Sequence, residues 1–237
     1  MTTLLGIDTS SYRLGVSVSK DGVVIAEYST TLKKNHALRL MPAVENVLND
    51  VEIKPSDLDG IAVAKGPGSY TGVRMAVTTA KTLAWSLNIP LIAVSTLEMM
   101  AQVGCYFNGL VVPLIDARRG TAFAAVYQSK CDGSLEEVVE ERHFTLTALL
   151  EKLGTQDQPI LFVGEDVALH REKIEMELGP LAQFAQKSVP SARAGALCAL
   201  AQEKEPVENV HGFTPDYHRL PEAEVNWQHA QQQRNES

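Results

Sequence analysis

Three short runs in this 237-residue chain combine residue types that do chemistry. Gly6-Ile7-Asp8-Thr9-Ser10-Ser11 ends an apolar run on a carboxylate and then hydroxyls. Lys65-Gly66-Pro67-Gly68-Ser69-Tyr70-Thr71-Gly72-Val73-Arg74 links an apolar run to a helical pattern. Asp116-Ala117-Arg118-Arg119-Gly120 repeats the carboxylate-and-turn theme in mid-chain. A glycine-rich loop that opens a helix aims backbone N–H groups and the positive end of the helix dipole at one point, which suits an anion. The loop is neither a Walker loop nor a G-x-G-x-x-G turn, because the required spacings are missing. Plainer readings stand beside these: an Asp bonding its own turn, and glycines that let a helix pack closely on a strand. Arg74 opposes the dipole in the first helical turn, which points to placement for a partner or ligand.

Other chemistry is discouraged. His36, His143, His170, His211, His218 and His229 include no i, i+4 pair, and Cys105, Cys131 and Cys198 are scattered. No metal site and no disulfide framework is therefore expected. The chain has no Gly-Gly, and Val163-Gly164-Glu165-Asp166 sets two carboxylates where a nucleotide phosphate would be unwelcome. No cofactor is expected. Asp8, Thr9, Ser10 and Asp116 are candidate nucleotide residues only in a vestigial sense.

The elements that must position these runs follow from periodicity. Strands are predicted at Thr3–Asp8, Arg13–Ser19 and Val23–Thr30, with Asp21-Gly22 as a hairpin turn. A helix from about Ala37, starting or kinking near Pro42, is followed by the strand Ile61–Ala64. The helix Gly72–Leu87, the strand Leu91–Val94 and the short helix Thr96–Val103 complete the first half. The second half has strands at Leu110–Asp116, Thr121–Gln128, Leu135–Phe144 and Ile160–Val163, and helices at Thr145–Leu153, Asp166–Leu178 and Ser191–Gln202. Each half reads β-β-β-α-β-α. Paired α/β subdomains around a cleft are expected: residues 1–105, residues 106–221, and a polar tail 222–237 read as flexible. Asp8 and Asp116 would face each other across that cleft.

Charge narrows the partners. The net charge of -8 divides into +2 for residues 1–130 and -10 for residues 131–237. A lone nucleic-acid binder is disfavoured by such an acidic half. No run approaches a membrane span, and Asp8 comes too early for a secretory leader, so a cytoplasmic setting and no membrane partner are expected.

With the three runs in this order, and Pro215-Asp-Tyr-His-Arg-Leu-Pro-Glu-Ala-Glu224 near the end, the chain closely resembles the TsaB (YeaZ) family. The resemblance implies a duplicated actin-like ATPase (ASKHA, ribonuclease H-like) fold. It also implies a part in making N6-threonylcarbamoyladenosine at position 37 of tRNAs that read codons beginning with A. Family members pair with the catalytic paralogue TsaD, work with the ATPase TsaE, or form homodimers. TsaD proteins carry His-Leu-Glu-Gly-His where this chain has Thr96-Leu97-Glu98-Met99-Met100. Both metal-binding histidines are thus replaced, and Glu98 alone cannot hold a metal.

A non-catalytic scaffold that binds TsaD is the leading expectation, with tRNA contacted only inside the complex. Its docking face is assigned to His36, Arg39, Leu40 and Met41 on the earlier helix. The later helix contributes Arg74, Met75, Thr78, Thr79 and Thr82, with the loop Gly66, Pro67, Gly68, Ser69, Tyr70, Thr71 and Gly72 beside them. Arg118 and Arg119 suit partner or tRNA phosphate, or simple solvation. Rival readings are a small-molecule kinase or ATPase of the same superfold and an M22-type metallopeptidase.

Overall fold

The computed structural model describes residues 2–32, 35–186, 188–189 and 193–216. Residues Thr3–Asp8 (β1), Leu14–Lys20 (β2), Val23–Thr30 (β3), Gly60–Ala64 (β4) and Leu91–Val94 (β5) make one sheet in the order β3-β2-β1-β4-β5. Leu110–Asp116 (β6), Thr121–Ser129 (β7), Leu135–Thr145 (β8), Ile160–Val163 (β9) and Ala182–Phe184 (β10) make a second sheet in the order β10-β9-β6-β7-β8. The first three strands of each half are antiparallel neighbours, and the rest join in parallel. Both sheets thus have the same wiring, the duplicated α/β fold expected of the actin-like class. The fifth strand of the second half, β10, is absent from the sequence reading. At three residues, Ala-Gln-Phe is too short to show a period.

Helices occupy three layers. Leu40–Asp50 (α1) and Tyr70–Leu87 (α2) cover one face of the first sheet, burying Val44, Val47, Val73, Ala76, Val77 and Ala80. A short 3-10 turn at His36–Leu38 precedes α1, and Pro42 stands in its first turn, where a missing N–H costs no bond. Leu146–Leu153 (α4) and Val167–Leu178 (α5) cover the outer face of the second sheet. Thr145 caps α4 by accepting the Ala148 N–H.

Thr96–Ala101 (α3) and Ala194–Ala201 (α6) lie in the middle layer, and each packs on the sheet of the other half. Leu97, Met99 and Met100 of α3 share a core with Val111, Ala125 and Tyr127. Leu197, Cys198 and Ala201 of α6 join Leu4, Ala62 and Val94. Gly6 makes the second crossing possible, since a Cβ there would lie 2.8 Å from Cys198 Sγ and 2.9 Å from the Ala194 carbonyl oxygen. The expected start of this last helix at Ser191 lies outside the described residues, as does the tail from Glu222.

The C-terminal stretch 207–216 straps the first half. The Val207 N–H donates to the Leu91 carbonyl at 2.8 Å, and Val210 and Phe213 reach the α1–α2 core. Lys81 Nζ then donates to the carbonyls of His211 (2.9 Å) and Phe213 (2.6 Å), pinning the strap to α2. No described helix is long and apolar enough to cross a membrane.

Candidate functional site

Two of the three chemistry-bearing runs meet in space. The loop between β4 and α2 lies directly on the turn after β1. The Ser69 N–H donates to the Ser10 carbonyl (2.7 Å), and Thr9 Oγ1 donates to the Gly72 carbonyl (2.7 Å). Nothing larger than glycine fits at this seam: a Cβ at Gly68 would sit 2.3 Å from the Ser10 carbonyl oxygen, and one at Gly72 2.0 Å from that of Thr9. The glycines therefore weld the turn to the helix start. Ser69 caps α2 by accepting the Gly72 N–H. The loop is also tied behind, where the Thr96 N–H donates to the Gly66 carbonyl at 2.9 Å.

Asp8 is 1% exposed and accepts the Ser10 N–H at 2.8 Å. Burial pushes its carboxyl up from the ordinary value, and the Ser10 bond and the charges of Arg13 and His36 oppose that only in part. Its local role is that of a turn former. Asp116 is held in the second half, its Oδ1 2.9 Å from His170 Nε2 and its N–H donated to Asp166 Oδ2 at 3.1 Å. Burial, with the Asp116 charge added, raises the Asp166 carboxyl.

The contact that spans the two halves at this point is Arg13 to Glu165, at 3.2 Å. Arg13 follows the Asp8 turn, while Glu165 belongs to the acidic turn after β9. A phosphate would have to displace this pair and then meet Glu165 and Asp166. The sequence flagged the carboxylates but not their cation, which lies 152 positions away.

The expected docking face is only partly as read. Leu40 is 2% exposed and packs in the first core, so it leaves the face. It stands on the same apolar stripe as Val44, Val47 and Leu48, at i+4, i+7 and i+8, which faces the sheet. Arg39 is half-buried and donates to Tyr28 Oη at 2.8 Å, and His36 is half-buried beside it. Both are turned toward the sheet. Met75 and Thr79 are half-buried along the flank of α2, whereas Arg74, Thr78 and Thr82 are exposed, with Arg74 donating to Tyr70 Oη at 3.4 Å. Exposed apolar side chains complete the surface: Leu38 (75%), Met41, Tyr70 and, near the end of α2, Trp85 (74%). Trp85 escaped the sequence reading; its signal is a lone Trp amid the small residues of one helix face.

Arg118 and Arg119 are exposed in the β6–β7 turn, both at positive φ (66° and 52°), closed by the Thr121 N–H on the Arg118 carbonyl at 3.0 Å. Thr96 and Met100, at the positions of the missing histidines, are buried in the middle layer. Among the described residues, no group of three or more His, Cys, Asp or Glu side chains is arranged to hold a metal ion.

The model of the family "TsaD: tRNA N6-adenosine threonylcarbamoyltransferase" matches residues 23–227. The tRNA threonylcarbamoyladenosine biosynthesis protein TsaB of Bacillus subtilis is 51% identical over 95% of this chain and 97% of its own length. Its Escherichia coli counterpart is 33% identical over 70% of this chain and 77% of its own length. Among solved structures, YeaZ from Pseudomonas aeruginosa superposes with a TM-score of 0.75 at 27% identity, covering 92% of this chain and all of its own. Another structure from that organism, described as similar to peptidase YEAZ, gives 0.76 with the same coverage.

Proposed function

Because the chain belongs to the TsaB family, within the wider group that the threonylcarbamoyltransferase model describes, we propose that it serves tRNA threonylcarbamoyladenosine synthesis as a non-catalytic scaffold. Its partner is the catalytic subunit TsaD, which transfers the threonylcarbamoyl group from its adenylate to N6 of adenine 37. TsaE acts with the pair, and the free chain self-associates through the same kind of contact. The setting is cytoplasmic.

The observation that carries this reading is the outer face of α1 and α2. It bears Leu38, Met41, Tyr70 and Trp85 around the small side chains Thr78 and Thr82, and among the described residues no other element covers these exposed side chains. Aromatic anchors beside small residues let another helix pair approach closely, and a contact of about 1,200–2,000 Å² suits a stable complex. Residues 1–130, at +2, include the half that docks, while the acidic remainder stays solvated and leaves tRNA phosphate to the partner.

Two features argue against independent chemistry. The Arg13–Glu165 pair closes the point where a phosphate would enter, and the α3 positions of the metal ligands are a buried Thr and a buried Met. The test is co-purification with TsaD, then a tRNA modification assay with and without this chain. Modification that proceeds unchanged in its absence refutes the scaffold role. Calorimetry with Mg-ATP on the isolated chain separates the rival kinase reading, for which tight binding with turnover is required.

A further inference from the structure

The sequence scatters its cysteines, but the fold brings two of them to one place. Cys105 follows the 3-10 turn Gln102–Gly104 in the linker between the halves, and Cys131 stands at the tip of the β7–β8 hairpin. Both are free thiols, Cys105 half-buried and Cys131 exposed. Cys198 is different. It is buried against β2, its Sγ 3.2 Å from Ser17 Oγ, and burial pushes its thiol up from the ordinary value.

Two contacts bracket Cys131 over the linker. Before it, the Ser129 hydroxyl donates to the Cys105 carbonyl at 2.5 Å. After it, the Tyr106 ring lies against Gly133, where a Cβ would meet Tyr106 Cε1 at 2.8 Å. The hairpin therefore touches residues 105 and 106 two positions before Cys131 and again two positions beyond it. The Ser129 N–H adds a third tie, to the Gly109 carbonyl at 3.3 Å.

The mount is fixed and the tip is lightly held. In the linker the Cys105 N–H donates to the Gln102 carbonyl at 3.3 Å and the Phe107 N–H to the Gly104 carbonyl at 2.8 Å. Gly104 is wedged under β6, since a Cβ there would lie 2.7 Å from Val111 Cγ2. In the hairpin, Ser129 and Leu135 are the last paired residues. Residues 130–134 close on local bonds alone: Lys130 N–H to the Ser134 carbonyl, Gly133 N–H to the Lys130 carbonyl, and Ser134 to Asp132 Oδ1. A disulfide asks for Cα atoms roughly 4.4–6.8 Å apart, and an exposed turn resting on a fixed strap of backbone can adjust to that span.

We propose that Cys105 and Cys131 form a reversible disulfide, with a low-molecular-weight disulfide as oxidant, which staples the β7–β8 hairpin to the linker between the halves. The Cys131 thiolate, the more exposed, attacks one sulfur of the oxidant, breaks its S–S bond and releases the other sulfur as a thiolate. Cys105, having given its proton to water, attacks the Cys131 sulfur of the mixed disulfide and expels the second thiolate. Both leaving thiolates take up protons. Two protein thiols are thereby oxidised by two electrons, and one oxidant disulfide is reduced to two thiols. The bridge closes a loop that contains all of β6 and β7. It stands independently of the scaffold role.

Mass spectrometry of the whole chain, fully reduced and then exposed to oxidised glutathione, tests it. Trypsin leaves the three cysteines on separate peptides, 82–118, 131–142 and 194–204. The expected product joins 82–118 to 131–142. Titratable thiols in the denatured chain fall from three to one and return in dithiothreitol. In Cys105→Ser the exchange is expected to stop at a glutathione adduct on Cys131, and Cys198→Ala is expected to form the bridge as the parent does. Circular dichroism of the bridged chain is expected to match that of the reduced chain. A lasting glutathione adduct on Cys131 of the parent beside a free Cys105 overturns the proposal. So does a bridge found only between two chains, or one formed only as the native dichroism is lost.

Discussion

Replacing Gly72 by Ala tests whether the seam between the Asp8 turn and α2 is as tight as its geometry. Gly72 lies in the first turn of α2, away from the left-handed region that glycine alone enters freely, so alanine is acceptable to its backbone. The added Cβ would lie 2.0 Å from the Thr9 carbonyl oxygen, and relief requires the turn and helix to part by more than about 1 Å. The bonds Thr9 Oγ1 to Gly72 O and Ser69 N to Ser10 O, both 2.7 Å, cannot both survive that movement. Two lost buried bonds cost about 2–4 kcal/mol, and better helix propensity returns about 1. A net loss of about 2 kcal/mol lowers Tm by roughly 4–8 °C in a chain of this size. Thermal unfolding followed by circular dichroism measures it. Gly179→Ala serves as a control, since a Cβ there meets nothing within 4 Å and only the φ of +53° is strained. If Gly72→Ala unfolds within about 1 °C of the parent, the contact is not limiting and the reasoning about the seam fails.

The other perturbations address the face, the strap and the buried acid. Thr78→Glu and Trp85→Ala, at exposed positions of α2, are each expected to weaken TsaD binding by about 2 kcal/mol, or roughly 30-fold, without changing Tm; parental affinity in both would move the interface elsewhere. Lys81→Met removes both carbonyl bonds to the strap and should cost about 1–2 kcal/mol and speed proteolysis beyond residue 206, with Lys81→Arg partly restoring protection. Asp8 has a folded pKa above its unfolded one, so it stabilises the fold most below the unfolded value and this contribution is lost as pH rises toward the folded pKa. Asp8→Asn keeps an acceptor for the Ser10 N–H, and its stability relative to the parent should rise as pH is raised from about 4 toward 7; a constant difference across that range would contradict the buried, raised carboxyl.

Much of the molecule was legible in local pattern. The bounds of β1, β3, β5, β6 and β9 follow from apolar runs and turn residues, because a strand's period and its flanking Gly or Asp are encoded within a few positions. The Gly66–Gly72 loop announced itself by composition, and the family by the order of its motifs. The substitution of Thr96 and Met100 for ligand histidines was also plain from residue identity alone.

Tertiary structure decided what local pattern cannot carry. His36 and Arg39, read as part of a docking face, are half-buried instead, and Arg39 is bonded to Tyr28 of β3, a contact between distant positions. The exchange of α3 and α6 between the sheets, the Arg13–Glu165 pair and the meeting of Tyr127 with Glu98 join residues that sequence separates by 29 to more than 100 positions. Periodicity tells a helix which face to bury, but the surface that receives it depends on how the whole chain packs.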